Sequence, residues 1–273
     1  MKIKQIKINF NVTKDIERFV YVYLIETDKG CCLIDSGVAG SEAIIENAVM
    51  EQGHQPSDVK CIFLTHAHPD HIGTANYFRE KYGTEIYASE GERRWIEDID
   101  LQYTERPIPN FYTLAGSSTP VDHVVKDGDV VSVLGNLEVS VMGTPGHSAD
   151  EVSYRIGDMI FIGDAVPMRG DIPIFINLEK TRATLDILEN LTDVEMFYPA
   201  WDKSYSSDVM KHKIAEAKEI VNGLEEAVSY ADNGMEISEL VDIVCERMRM
   251  PMLKTNPLFA RTVACCRKER KKF

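Results

Sequence analysis

An α/β fold of two sheets with helices on their outer faces is predicted by three observations. Extended segments fall into two groups, helical segments separate them, and the last quarter of the chain reads as helix alone. Ile6, Ile8, Phe10 and Val12 alternate with Lys7, Asn9 and Asn11, which gives a strand over 3–12. The run FVYVYLIET (19–27) gives a second, turning at Asp28-Lys29-Gly30 into CCLIDSG (31–37). Ser41 is placed to cap a helix that reaches about Gln52 and stops at Gly53. VKCIFLT (59–65) reads as a buried strand, followed by a histidine-rich loop and a helix ending at Gly83, a β-α-β rhythm. It continues with EIYAS (85–89), a charged helix near 90–101, and short strands at 121–126, 129–134, 137–142, 152–156 and 159–163. A helix near 180–190 and the strand EMFYP (195–199) close this part. Beyond Ser207, residues Met210, Ile214, Ala217, Val221, Leu224, Val228 and Ala231 recur at helical spacing as an apolar packing stripe. Helices near 237–249 and 258–272 follow, with Pro251 and Pro257 interrupting the connection. The expected division is a domain over 1–207 and a C-terminal helical appendage over 208–273.

The 273 residues carry a net charge of −14, which opposes docking on nucleic acid or an anionic lipid surface. The charge is uneven. Residues 208–273 sum to +1, so the first 207 carry −15. The basic run Arg267 to Lys272 suits an acidic surface on a partner subunit, and the C-terminal helices are the expected contact of a homo-oligomer. No apolar run approaches the roughly 20 residues of a membrane helix, and the N-terminus lacks a signal-peptide core. The six cysteines form two adjacent pairs without CxxC spacing, which reads as reduced structural thiols and a cytoplasmic location.

The segment that carries chemistry is Thr65-His66-Ala67-His68-Pro69-Asp70-His71, directly after an apolar strand. Three of the seven histidines and a carboxylate occupy six positions. The i, i+2 spacing of His66 and His68 points both rings to one side of an extended segment. Asp70 and His71, where the next helix begins, face a second point nearby, so one segment offers donors for two cations.

His66-x-His68-x-Asp70-His71 resembles the signature of the metallo-β-lactamase superfamily, and the resemblance extends over about residues 19–205. It implies a four-layer αββα sandwich of two mixed sheets with outer helices. Within Leu33-Ile34-Asp35-Ser36-Gly37, Asp35 matches an acid that orients the metal-binding loop by hydrogen bonds. Thr144-Pro145-Gly146-His147-Ser148 matches the third motif, whose histidine completes a first metal site with His66 and His68. Asp164, at the end of Met159-Ile160-Phe161-Ile162-Gly163-Asp164, matches the acid that bridges two metals beside Asp70 and His71. The fifth motif departs from the pattern. Phe197-Tyr198-Pro199-Ala200-Trp201-Asp202 holds no histidine where family members commonly place one. Asp202 is the candidate oxygen ligand in its stead; otherwise it is an ordinary loop carboxylate, and the second site is weaker or filled by water. His123 and His212 are placed less well for that role.

The resemblance implies two divalent ions, zinc first with iron or manganese as alternatives, and a hydrolase that uses a metal-bound hydroxide oriented by Asp70. The short interval between Asp164 and Asp202 disfavours nucleic-acid-processing branches, and the missing leader disfavours secreted antibiotic-degrading ones. Diiron flavoproteins replace the second histidine and append a flavin domain, features this chain lacks. What remains resembles glyoxalase II and lactonase-like hydrolases of small esters, thioesters or lactones. Arg106 and Tyr112 in one flanking segment, Met168, Arg169 and Phe175 in another, and Lys203 and Tyr205 beyond Asp202 are the candidate substrate contacts. A mononuclear or diiron oxidoreductase on the same fold and a non-catalytic metal-binding protein are the alternatives.

Overall fold

Two six-stranded sheets are laid down one after the other along the chain. The computed structural model describes residues 1–14, 16–231 and 234–270, the side chains of 268–270 excepted. The first sheet runs β1 (Lys2–Thr13), β2 (Ile16–Thr27), β3 (Gly30–Ile34), β4 (Val59–Phe63), β5 (Glu85–Ser89) and β6 (His123–Val125) in spatial order. Its first three strands pair antiparallel and the rest parallel. The second runs β7 (Val130–Val133), β8 (Leu137–Gly143), β9 (Val152–Ile156), β10 (Met159–Gly163), β11 (Met196–Pro199) and β12 (Tyr205–Ser206). Only β10 and β11 pair parallel there, so both sheets are mixed.

Residue parity stacks these sheets. Val20, Val22 and Leu24 of β2 enter one core while Tyr23 and Ile25 enter another. On β3, Cys31 and Leu33 separate from Cys32 and Ile34 in the same way, and on β10 Ile160 and Ile162 separate from Phe161. A period of two with apolar residues at every position is what a strand covered on both faces requires. The inner core, with Phe63, Tyr154 and Phe161, joins the sheets. Over the outer face of the first sheet lie α1 (Glu42–Glu51), α2 (Pro69–Ile72), α3 (Ala75–Tyr82), α4 (Glu90–Glu97), α5 (Ile99–Glu105) and α6 (Phe111–Ala115). Over the second lie α7 (Leu178–Glu189), α8 (Ser207–Ala231), α9 (Ile237–Arg247) and α10 (Pro257–Arg270). The result is the four-layer αββα sandwich.

Several elements differ from the sequence reading. The charged helix near 90–101 divides at Asp98, whose carboxylate accepts from Leu101 N at 2.9 Å and starts α5. Ser41 precedes α1 without capping it, because its hydroxyl donates to Val38 O at 2.5 Å. The strands expected over 31–37 and 59–65 end at Ile34 and Phe63, and the residues released from them build the site described below. The short α6 and β12 carry no periodic signal in the sequence and add to the expected elements. The C-terminal helices α8, α9 and α10 pack as an outer layer over the second sheet. The stripe from Met210 to Ala231 is buried in one core with Ile160, Ile162 and Phe197 of the second sheet, so the stripe is not free for a second copy. Of the basic run, Arg267 donates to Met235 O at 2.8 Å, and the side chains beyond it lie outside the described residues. All six cysteines are buried. No helix among the described residues is long and apolar enough to cross a membrane.

Candidate metal centre

The site forms where β3, β4 and β10 end and where the β8–β9 loop meets them. At the end of β3, Asp35 takes a left-handed backbone with φ +59°, a conformation Asp tolerates better than most side chains. This turns its carboxylate under the β4 loop, where it accepts from Thr65 N at 2.8 Å, Thr65 Oγ1 at 3.0 Å and His71 Nδ1 at 2.8 Å. The Thr65 hydroxyl gives its one proton to Asp35, so at 3.0 Å it accepts from His66 Nδ1. His147 Nδ1 donates to Ile174 O at 2.9 Å, since a carbonyl only accepts. Each of these bonds fixes one ring nitrogen as the donor, which leaves a free lone pair on the opposite nitrogen of His66 and His147 and turns that of His71 toward the site.

Those lone pairs converge. His68 Nδ1 lies 3.0 Å from His66 Nε2 and 2.8 Å from His147 Nε2, and Asp164 Oδ2 lies 3.3 Å from His147 Nε2. The four ligand atoms fall within 4.8 Å of one another, close to the spacing of about 3.3 Å that bonds of 2.0–2.1 Å set around a tetrahedral ion. On the other side of Asp164, His71 Nε2 is 3.5 Å from Asp164 Oδ2 and 3.7 Å from Asp70 Oδ2. His71 Nε2, Asp70 Oδ2 and Asp164 Oδ1 are all buried without a hydrogen-bond partner among the described residues. Orphaned polar atoms of this kind cost about 1–3 kcal/mol each. Cations would satisfy both groups at once, so the residues fit a pair of metal ions.

Electrostatics agree with that fit at His66, His68 and His147. Burial holds the proton affinity of His66 and His68 well below the ordinary histidine value and brings His147 down to about 4, leaving neutral imidazoles. At His71 burial opposes the charge, but Asp164, Asp35 and Asp70 together raise it well above the usual value. Burial raises Asp70 against the pull of His71. Burial also acts upward on Asp164, yet His71 and His147 bring it below the ordinary carboxylate value.

Three positioning residues carry no mark in the sequence. Glu92 on α4 accepts from Ala67 N at 3.0 Å with one oxygen, and from Ser148 Oγ at 2.6 Å and Asp150 N at 3.0 Å with the other. It thereby ties the His66–His68 loop to the His147 loop. Gln102 Nε2 donates to Ala67 O at 2.6 Å. Glu151, four residues after His147, is fully buried and raised by that burial, and it accepts from Asp164 N at 2.9 Å. Gly163, with φ +50°, is needed here, because a Cβ would come within 2.7 Å of Thr65 Oγ1 and 2.8 Å of Glu151 Oε1.

The structure brings together Asp35, His66, His68, Asp70, His71, His147 and Asp164, and sets Asp202 apart. Its carboxylate accepts from Lys203 N at 2.8 Å and Tyr205 OH at 2.6 Å, so the expected replacement ligand is committed to its own loop. Met168 lines the cleft over the site with His147, Asp164, Ile172 and Trp201. Arg18, missed in the sequence, sits at its rim, 4.0 Å above the Trp201 ring and 2.5 Å from Asp171 Oδ1. Arg106 is buried beside the histidines with an unpartnered Nη1. The other expected substrate contacts are placed elsewhere. Arg169 pairs with Glu216 and Glu219 on α8, and Tyr112 is exposed and donates to Asp100. Phe175 is a core residue, Tyr205 is held by Asp202, and Lys203 is exposed.

The metallo-beta-lactamase superfamily profile matches residues 15–200. The chain is 31% identical over 146 residues to a probable metallo-hydrolase of Bacillus subtilis, covering 53% of this chain and 64% of that one. It is 33% identical over 159 residues to a hydroxyacylglutathione hydrolase of Brucella anthropi, covering 56% and 51%. The chain thus spans less than two thirds of either relative's length. A crystal structure of a metallo-beta-lactamase family protein from Thermus thermophilus superposes with a TM-score of 0.76 at 20% identity, covering 99% of this chain and 93% of that one. That likeness concerns the fold. With the profile match spanning most of the chain and the same motifs meeting at one centre, the chain belongs to the metallo-beta-lactamase superfamily of metallo-hydrolases.

Proposed function

We propose that this protein is a dinuclear metal-dependent hydrolase of a small ester, thioester or lactone. The observation that carries the reading is the pair of donor sets meeting at Asp164: three imidazole lone pairs on one side, and the orphaned atoms of Asp70 and His71 on the other. His66, His68 and His147 would hold one cation, Asp70 and His71 the second, with Asp164 between them. Imidazole and carboxylate donors suit zinc, and iron and manganese are compatible. When bound, such a pair activates water near neutral pH and offsets charge that develops on a carbonyl oxygen.

The chain's own groups do the rest. Asp35 fixes the donor nitrogen of His71 directly and that of His66 through Thr65, so neither ring can turn its N–H into the site. Asp70, whose Oδ2 has no hydrogen-bond partner among the described residues, would hold that second cation and at the same time orient the attacking water. Met168, Ile172 and Trp201 wall the cleft and limit water around the scissile bond. A thioester is supported by the hydroxyacylglutathione hydrolase relative, and a substrate other than nucleic acid by the −15 charge of the first 207 residues. With Asp202 engaged elsewhere, the 197–202 segment supplies no side-chain ligand in this reading.

Metal quantification combined with a panel of esters, thioesters and lactones tests it. The expected result is close to two equivalents of transition metal and hydrolysis of at least one class, with both metal content and turnover falling in His68→Ala. Purified protein that retains no metal, or a His68→Ala variant that hydrolyses the panel as well as wild type, overturns the proposal. Iron with oxygen consumption and no hydrolysis would do the same.

A further inference from the structure

Arg106 is a buried cation without an ion-pair partner among the described residues. It follows α5, where its backbone N–H donates to Gln102 O at 2.7 Å, and Gln102 is in turn bonded to Ala67 between His66 and His68. The arginine is therefore anchored one turn from the metal-binding loop. It is 7% exposed, and its Nη1 is buried without a hydrogen-bond partner among the described residues. No carboxylate there forms an ion pair with it. An unpaired guanidinium in such a place is costly, and proteins pair or solvate such groups as a rule.

The nearby acids are already committed. Asp70, Asp164 and Glu92 are the carboxylates whose charge reaches Arg106. Glu92 uses both oxygens to join the two histidine loops, and Asp70 and Asp164 face the metal positions. A second cation, Arg261 from α10, adds to the imbalance. It lies against the same segment with Nη2 3.4 Å from Glu105 O, and its charge disfavours that of Arg106. Arg106 and Arg261 set two guanidinium groups beside the candidate metal ligands, and the fork of donors on arginine matches the paired oxygens of an oxyanion.

We propose that Arg106, with Arg261 beside it, receives an anionic group carried by the substrate, a carboxylate or a phosphate-type oxyanion, while the scissile bond lies at the metal ligands. The inference rests on the hydrolase reading for what happens at the metals, but the anion site itself does not require it.

Two readouts separate them. The first compares 4-nitrophenyl acetate with mono-4-nitrophenyl succinate and 4-nitrophenyl phosphonoacetate on the metal-loaded protein. Wild type should favour one acid-bearing ester, and which one distinguishes carboxylate from phosphate-type recognition. Arg106→Met should lower the ratio of acid-bearing to neutral kcat/KM by roughly 10- to 100-fold, and Arg261→Met by less. The second follows Tm with millimolar acetate or inorganic phosphate, which should raise it by a few degrees in wild type and not in Arg106→Met. Without added anion, Arg106→Met should melt no lower than wild type, because it removes an unpaired buried charge. A lower Tm with an unchanged ratio makes the arginine a structural counter-charge and overturns the inference. Protection that persists in Arg106→Met places the anion on the metals alone and overturns it as well. If Arg106→Met does not fold, Arg106→Gln is read by the same ratio and the same protection. Anion protection lost in the variant, with none of the esters cleaved, supports the anion site and counts against the ester reading.

Discussion

The Thr262 hydroxyl of α10 accepts a hydrogen bond from Phe175 N at 3.1 Å and lies 3.1 Å from Pro173 O, to which it donates. Between those two residues is Ile174, whose carbonyl accepts from His147 Nδ1. The C-terminal helix thus sets the orientation of the His147 imidazole, a candidate metal ligand, through one intervening loop. Thr262→Val keeps the shape and removes the hydroxyl. It should weaken metal affinity by about 10-fold or more, as lost outer partners commonly do. Thr262→Ser should restore it. Competition against a chelator reads this directly, and an unchanged affinity in Thr262→Val would mean that the loop holds its position without α10.

Asp35 collects three donors from two residues, and a carboxamide can accept at only one of its two ends. Asp35→Asn tolerates the same left-handed backbone, so the substitution isolates the hydrogen bonds from the strain. Its amide nitrogen would confront either Thr65 or His71. We expect metal content below two equivalents and turnover down by at least 10-fold, measured on protein purified identically to wild type. Full occupancy in Asp35→Asn would show that the imidazoles find their orientation without this carboxylate.

Asp202 gives the opposite expectation. Both of its oxygens are used locally, by Lys203 N and Tyr205 OH. Asp202→Ala should therefore leave the metal content at its wild-type value while costing about 1–2 kcal/mol of stability for the freed hydroxyl and amide. Elemental analysis with a denaturant titration checks both halves. A fall of one metal equivalent would restore Asp202 to the centre.

The contrast between Asp202 and Glu92 shows what the sequence discloses. The candidate ligands were legible because they follow apolar strands, in motifs a few residues long: His66 to His71, His147, Asp164. The two-sheet order was legible for the same reason, since a period of two marks strands that are covered on both faces. Glu92, Gln102 and Thr262 act across 25, 35 and 87 residues of sequence and sit in helices where a polar residue looks ordinary. Asp202 and Arg169 had the right neighbours in the chain but the wrong direction in space. Loop position places a Cα near a site, whereas the side chain follows whichever local partner satisfies it, here Tyr205 and the acids of α8.

The buried imidazoles also fix a pH response of the metal-free protein. His147 has its proton affinity brought from the ordinary 6.5 down to about 4, mainly by burial. Between those values the unfolded chain binds a proton at this residue that the folded chain does not, so stability rises with pH across the window and is lost as pH falls through it. His71 is raised instead, so its contribution is complete below 6.5 and changes only above it. Asp70 and Glu151, raised by burial, act in the reverse sense to His147 inside the window and reduce the total slope. The comparison with His147→Asn removes their influence. Asn keeps a donor for Ile174 O but cannot be protonated. Between pH 7 and pH 4, chelator-treated wild type should lose more stability than chelator-treated His147→Asn, by of the order of 1–3 kcal/mol. Parallel stability profiles for the two proteins would mean that His147 is exposed to solvent in the metal-free state.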